Sequence, residues 1–254
     1  MKTIVDIKEW QELRASRNES LGFVPTMGAL HAGHAELLKR SRRENAISVL
    51  SIFINPTQFN DKSDFEKYPV TLEADQKVAR ECGVDYIFLP QATQMYADDY
   101  RFKLTEGILS SVLEGAFRPG HFEGVLTVVL KLFNLVRPTR AYFGEKDYQQ
   151  LRLVQDMAKA LFLPTEVIAC ETLRESDGLA MSSRNARLSE SARLQAARLS
   201  QYLNSPLSNE EVKTKLEEAG FEVEYVSSEL MSDKSRRLVA AKIEGVRLID
   251  NVKK

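Results

Sequence analysis

Two histidines flanking a pair of small residues, His31-Ala32-Gly33-His34, are the side chains best suited to chemistry in this chain. They follow Pro25-Thr26-Met27-Gly28-Ala29-Leu30, the end of an apolar run broken by proline and glycine, and precede Ala35-Glu36-Leu37-Leu38-Lys39-Arg40, whose spacing is helical. A strand that turns into a helix presents backbone N–H groups and the positive end of the helix dipole, which together suit an anion. Gly33 lets the backbone approach a phosphate closely, and His31 and His34 can donate hydrogen bonds to charge building on a phosphoryl group. Two other readings stay open. The chain has three histidines, and His31, His34 and His121 together are a possible zinc set, although no His-Glu-x-x-His spacing supports it. In the plainest reading one of the pair caps a helix and the other packs.

Three further strings carry polar groups where strands or loops end. In Asn55-Pro56-Thr57-Gln58 a carboxamide can both donate and accept. In Gly144-Glu145-Lys146-Asp147, Lys146 offers a point charge and Asp147 an acceptor, with Gln150 on the first turn beyond. A strand-ending turn and a solvated Lys-Asp turn are the plain alternatives. Met181-Ser182-Ser183-Arg184 combines two hydroxyls with a guanidinium, a set that wraps phosphate oxygens, and no Gly-x-Ser-x-Gly elbow marks either serine as a nucleophile.

The elements that must position these groups alternate. Leu21 to Met27, the β-branched run Ala46 to Asn55, Val84 to Pro90, a stretch ending at Phe143-Gly144, and Thr165 to Cys170 read as strands. Helical segments lie between them at Ala35 to Arg40, Thr71 to Glu81 closed by Gly83, Gly124 to Val136, and Tyr148 to Leu161. The alternation predicts an α/β fold, a Rossmann-like doubly wound parallel sheet that binds ligands at the carboxyl ends of its strands. Leu173 to Leu188 is polar and reads as a loop. Beyond it, helices at Glu190 to Leu203 and Asn209 to Ala219 precede two strand-like runs, Phe221 to Ser227 and Leu238 to Ile249. The expected organisation is a binding domain over 1–173 and a smaller α+β lid over 174–254.

Composition narrows the function classes. The 254 residues are 43% hydrophobic and 28% charged, with 35 basic against 36 acidic residues and a net charge of -1. That balance is ordinary for a globular chain and provides no global field to hold nucleic acid. No N-terminal run reads as a signal peptide or membrane helix, so a cytoplasmic location with no membrane partner is expected. Cys82 and Cys170 show no metal spacing and are expected to be reduced and structural. Trp10 and the phenylalanines from Phe117 to Phe133 are expected in the core, and Lys39-Arg40-Ser41-Arg42-Arg43 on a solvated helix face.

His-Ala-Gly-His resembles the His-Ile-Gly-His signature of the nucleotidyltransferase superfamily. The longer string Pro25 to His34 resembles the pantoate–β-alanine ligase (pantothenate synthetase) family, and four further blocks agree in order: Ser51 to Phe59, Arg118 to Val125, Phe143 to Gln150, and Asp177 to Asn185. The resemblance covers residues 1 to 254. It implies an AMP-forming ligase that joins pantoate to β-alanine with ATP through a pantoyl-adenylate, releasing AMP and pyrophosphate, and a homodimer. It places ATP against Met27, Gly28, Ala29, Leu30, His31, Ala32, Gly33, His34, Gly144, Glu145, Lys146, Asp147, Leu173, Met181, Ser182, Ser183 and Arg184. The last four match a mobile phosphate loop. Gln58 and Gln150 go to pantoate. His31, His34, Lys146 and Arg184 become the catalytic set, and Asp75 a holder of Mg²⁺ through water. A nucleotide-sensing protein that kept the fold and lost turnover is the rival from another class. Two departures stand out: Val70 replaces the family's usual arginine in Tyr-Pro-Arg-Thr, and the C-terminal unit reads as short for the family.

Overall fold

The computed structural model describes residues 1–60, 65–230 and 233–254. Strands β1 (Lys2–Ile4), β2 (Leu21–Thr26), β3 (Ile47–Ile52), β4 (Tyr86–Phe88), β5 (Arg140–Gly144) and β6 (Glu166–Cys170) form one parallel sheet in the order β1-β4-β3-β2-β5-β6. Helices α1 (Ile7–Ala15), α2 (Ala32–Glu44), α3 (Leu72–Glu81), α4 (His121–Val136) and α5 (Tyr148–Ala160) alternate with the strands. The chain winds from β2 outward through β3 and β4, then returns to the other side of β2 for β5 and β6. The crevice between the carboxyl ends of β2 and β5 is therefore the topological switch point, where such sheets bind ligands.

Local chemistry explains the elements. Every residue of β3 is buried, as expected of a strand covered on both faces. Helix α3 stops at Cys82, and Gly83 follows with φ +75°, the left-handed exit that glycine allows. Helix α4 begins at His121 rather than Gly124 and turns Phe122, Val125, Val129 and Leu132 into the main core. Trp10 lies in that core, and its indole N–H donates to the Leu135 carbonyl at 3.0 Å. Phe117 departs from expectation: it is half exposed, beside Tyr225. The basic run on α2 is only partly a solvated face, because Ser41 is buried against Ser48 and Arg40 lies over the Tyr142 ring, donating to Glu44 and the Ala169 carbonyl. Both cysteines are free and buried.

The second unit holds α6 (Glu190–Leu203), α7 (Asn209–Glu218) and an antiparallel sheet β7-β8-β9, with β7 at Glu222–Ser227, β8 at Arg236–Ile243 and β9 at Val246–Lys253. The single run expected over Leu238 to Ile249 is instead two strands. Glu244 and Gly245 both take positive φ, 48° and 73°, the backbone of a two-residue hairpin turn. A separate cluster, including Leu199, Leu216, Val239 and Leu248, is its core, while Leu230 and Leu238 pack into the main core and join the units through apolar contact.

Candidate active site

The loop leaving β2 supports itself. Gly28 and Ala29 take positive φ, 85° and 51°. The Asp75 carboxylate, delivered by the first turn of α3, accepts from the N–H of Ala29 at 3.0 Å and of Leu30 at 2.7 Å, and from the Thr71 hydroxyl at 3.2 Å. A side chain on Gly28 would need the left-handed region and would come within 3.0 Å of Asp75. Gly28 N–H donates to Thr26 Oγ1. This differs from the expectation for Gly28, Ala29 and Leu30: their amides are held by the protein's own acceptors, and none of the three lines the cleft. It also differs for Asp75, which is 2% exposed with both oxygens taken up by the loop. In this structure the Asp75 carboxylate holds the loop, through two backbone N–H groups and the Thr71 hydroxyl.

The two histidines close the same loop. His31 is the N-cap of α2, its Nδ1 accepting from Gly33 N–H at 3.1 Å, while His34 Nδ1 accepts from His31 N–H at 3.3 Å. A ring nitrogen that accepts is unprotonated, so each neutral imidazole carries its proton on Nε2. Burial above all, together with the Lys146 charge, lowers the pKa of His31 to about 4. Burial, His31 and Lys146 lower that of His34 to about 3. Capping and chemistry are therefore not alternatives here, because the cap fixes the tautomer that leaves a neutral N–H donor in the cleft. The three-histidine zinc arrangement is not assembled. His121 Nδ1 meets the Gln58 carbonyl at 2.9 Å and its Nε2 meets Arg118 at 3.0 Å, and the described residues hold no group of three or more His, Cys, Asp or Glu that suits a metal.

The turn after β3 presents Gln58. Asn55 is 0% exposed; its amide donates to Gln58 Oε1 and to the Gly124 carbonyl, both at 3.1 Å, and its oxygen accepts from the Tyr96 and Thr57 hydroxyls. Helix α4 rests directly on this turn, since a Cβ on Gly124 would come within 2.5 Å of the Thr57 carbonyl. The Gln58 amide lies 3.0 Å from Met27 Sδ. Gln150 faces the same cleft, whereas its neighbour Gln149 is buried and donates to the Leu109 and Val112 carbonyls.

The strip Leu173 to Arg187 is a braced hairpin rather than a plain loop. Arg174 and Ala180 form a β-bridge, Ser183–Arg187 is a 3₁₀ helix capped by Ser182, and Arg193 of α6 pairs with Asp177 at 2.6 Å and Glu175 at 2.8 Å.

These pieces enclose a cleft of about 240 Å³ at the switch point. Met27, His31, Gly33 and His34 form one wall, Gly144, Lys146 and Asp147 a second, and Leu173, Met181, Ser182, Ser183 and Arg184 a third. Gln58 and Gln150 lie on its floor beside Phe53, Val125, Val128 and Phe143, an apolar wall to which the sequence reading gave no site role. Tyr68 also lines it and was not foreseen. Ala32 and Glu145 stay outside the lining. Val70, at 78% exposed, stands on the surface. A second cleft of about 550 Å³ shares Lys146, Asp147, Ser182 and Arg184 with the first and is bordered by Arg118, Arg187, Lys242 and Arg247.

The family model described as pantoate-beta-alanine ligase matches residues 1–253. A pantothenate synthetase of Coxiella burnetii is 50% identical over 252 residues, covering 99% of this chain and 96% of its own. That of Bdellovibrio bacteriovorus is 51% identical over 244 residues, covering 96% of each chain. Among solved structures, the pantothenate synthetase of Thermus thermophilus superposes with a TM-score of 0.90 at 43% identity, covering 100% of this chain and 99% of its own. The Francisella tularensis pantoate-beta-alanine ligase, complexed with beta-gamma ATP and beta-alanine, superposes with a TM-score of 0.94 at 38% identity and coverages of 100% and 97%. The chain spans 96% or more of the length of each of these four relatives.

Proposed function

The chain belongs to the pantoate–β-alanine ligase family and is a ligase that makes pantothenate, and from that premise we propose how its cleft carries the reaction. ATP lies along the Met27–His34, Gly144–Asp147 and Met181–Arg184 walls, with Leu173 toward the base, and pantoate sits on Gln58 and Gln150. The single observation that carries this reading is that one cleft brings two neutral imidazole donors, Lys146 and Arg184 together with two carboxamides and an apolar wall. Phosphate oxygens suit the first set. A branched hydroxy acid suits the second, its methyl groups against Phe53 and Val128 and its hydroxyls on the carboxamides.

The pantoate carboxylate attacks the α-phosphorus of ATP in line. A new P–O bond forms, the bond from the α-phosphorus to the bridging oxygen breaks, and pyrophosphate leaves with the electron pair. Positioning and charge stabilisation supply the catalysis, through the Nε2–H donors of His31 and His34 and the cations of Lys146 and Arg184. The unprotonated amine of β-alanine then attacks the acyl carbon, the C–O bond to AMP breaks, and the nitrogen releases its proton to solvent. Among the described residues no group of three or more His, Cys, Asp or Glu suits a metal, and Asp75 holds the loop amides. In this reading the ion arrives on the oxygens of the triphosphate.

Labelled pyrophosphate should exchange into ATP when pantoate and Mg²⁺ are present and β-alanine is absent. Label moving between ADP and ATP, or exchange that requires β-alanine, would overturn the adenylate route. The division into 1–173 and 174–254, which follows the change of composition after Thr172, the homodimer, which the family resemblance implies, and the cytoplasmic location belong to the same proposal. Domain-wise expression, analytical ultracentrifugation and cell fractionation test them.

A further inference from the structure

The Gly144–Asp147 wall is gripped from behind by the C-terminal sheet. Asn251, on β9 and 3% exposed, donates its side-chain amide to the Glu145 carbonyl at 2.8 Å and to the Lys146 carbonyl at 3.0 Å. Arg236, on β8, holds the amide in place by donating to Asn251 Oδ1 at 2.6 Å; its other nitrogen pairs with the Glu145 carboxylate at 2.7 Å, and its guanidinium lies 4.4 Å from the centre of the Tyr148 ring. The same Asn251 reaches the opposite wall through its backbone: its carbonyl accepts from Arg174 at 3.1 Å, and Arg174 forks onto Asp250 at 2.7 and 2.9 Å. Arg174 opens the hairpin that carries Ser182, Ser183 and Arg184.

We infer that Asn251 is a positioning residue for the phosphate end of the cleft, setting Lys146 and, through Arg174, the Ser182–Arg184 strip at a fixed separation. The argument is geometric. A lysine on a four-carbon stem reaches a triphosphate only from the place its backbone gives it, and the two carbonyls bracketing Lys146 are both tied to one amide. A carboxamide with both N–H groups on one turn and its oxygen on a buried arginine has a single orientation, so the turn inherits that orientation. None of the hydrogen bonds of Asn251 and Arg236 goes to the side chain of Gln58 or Gln150, so their loss falls first on the nucleotide.

The inference rests on Lys146 meeting ATP, and the test separates the two. Asn251→Asp keeps the shape but removes both donated hydrogen bonds and sets an acceptor against two carbonyls. Pyrophosphate–ATP exchange should fall on the order of 100-fold and KM for ATP should rise, as for a misplacement of about 1 Å. The pantoate Kd from calorimetry should stay within about twofold of wild type, since none of its hydrogen bonds is touched. Unchanged exchange, or pantoate affinity lost in proportion, would overturn the inference. Should Asn251→Asp not fold, Glu145→Gln weakens the Arg236 arm with the turn intact, and the same split is expected at roughly fivefold, the size of one weakened charge-assisted bond. Lys146→Ala is run beside them. If it keeps full exchange, the reading of Lys146 fails; if it loses exchange while both other variants keep theirs, only the role of Asn251 fails.

Discussion

The two walls that face the phosphates are built in opposite ways. The Met27–His34 wall is local: its turn is held by Asp75 from the adjacent helix, by its own two histidines and by Thr26, and every one of these bonds is partly buried. The Leu173–Arg187 wall is tied into the second unit, by Arg193 to Glu175 and Asp177 and by Arg174 to Asp250. A loop satisfied by neighbouring backbone keeps its shape whatever the second unit does. A hairpin hung on these arginines travels with the second unit, because Arg174, Glu175, Asp177, Arg193 and Asp250 all belong to it. The first wall is therefore fixed within the first unit, whereas the second is placed by the seating of the second unit, which Asn251 sets against the Gly144–Asp147 turn.

The largest test of this contrast is at His31. His31→Ala removes both the cap and the Nε2–H donor, whereas Asn at the same position can still cap. Both variants should lose on the order of 10²-fold or more in kcat for pyrophosphate exchange, while the Asn variant unfolds within about 0.5 kcal/mol of wild type and the Ala variant about 1 kcal/mol lower in denaturant titrations. Equal turnover in the Asn variant would reduce His31 to a cap. Gln58→Ala should come next, weakening pantoate by roughly tenfold in calorimetry with ATP affinity kept, because a buried hydrogen bond to the acid is lost. The reverse split would move Gln58 to the nucleotide. Asp75→Asn should lower kcat/KM for ATP by roughly tenfold, since one acceptor of the loop amides becomes a donor. The Mg²⁺ concentration for half-maximal rate should not change, and a large rise there would restore Asp75 as a carrier of the ion.

Acidity gives a smaller and graded effect. His31 and His121 near pKa 4, and His34 near 3, all lie below the ordinary value of 6.5 because burial penalises their charged forms. Between those limits the unfolded chain binds more protons than the native one, so the histidine contribution to stability is complete above about pH 6.5 and declines as pH falls toward 4. Denaturant midpoints taken across that range should fall with pH, and the exchange rate should show no break near pH 6.5. A break there would mean that a histidine works as a cation. The smallest effect is expected of Arg193→Ala: a stability change within about 1 kcal/mol, with cleavage in Leu173 to Arg187 by a dilute protease speeded several-fold. Protection equal to wild type would show that the second wall does not depend on its ion pairs.

How much of this was legible in the residues followed the same division. The parallel sheet, its alternation with helices and the strings at its carboxyl ends are marked by β-branched runs, by Gly83 and by Pro56, which are local signals. The apolar wall at Phe53 and Val128 was given no site role, because a pocket lined with hydrophobic side chains and a core position look alike in sequence. The hold of Asp75 on the Ala29 and Leu30 amides was not legible, because backbone N–H partners leave no residue-type signature. Asn251 was missed because its partners lie more than a hundred positions earlier. The two strands in Leu238 to Ile249 merged into one because Glu244, the first residue of the turn, carries no turn chemistry of its own.

The pairing of β2 with β5 also sets a timetable for the growing chain. Gly22 pairs with Arg140, Leu21 N–H donates to Thr139, and Trp10 donates to the Leu135 carbonyl, so the strand leading to His31 and His34 pairs early with β3 on one edge but gains its second neighbour, β5, only after more than a hundred further residues have been made. The grip of Asn251 on Glu145 comes later still. Contacts this far apart in sequence form slowly and leave sheet edges open in the meantime. A nascent chain that already displays the histidine loop cannot yet hold a nucleotide, and its unpaired β2 edge is the surface a chaperone would have to cover.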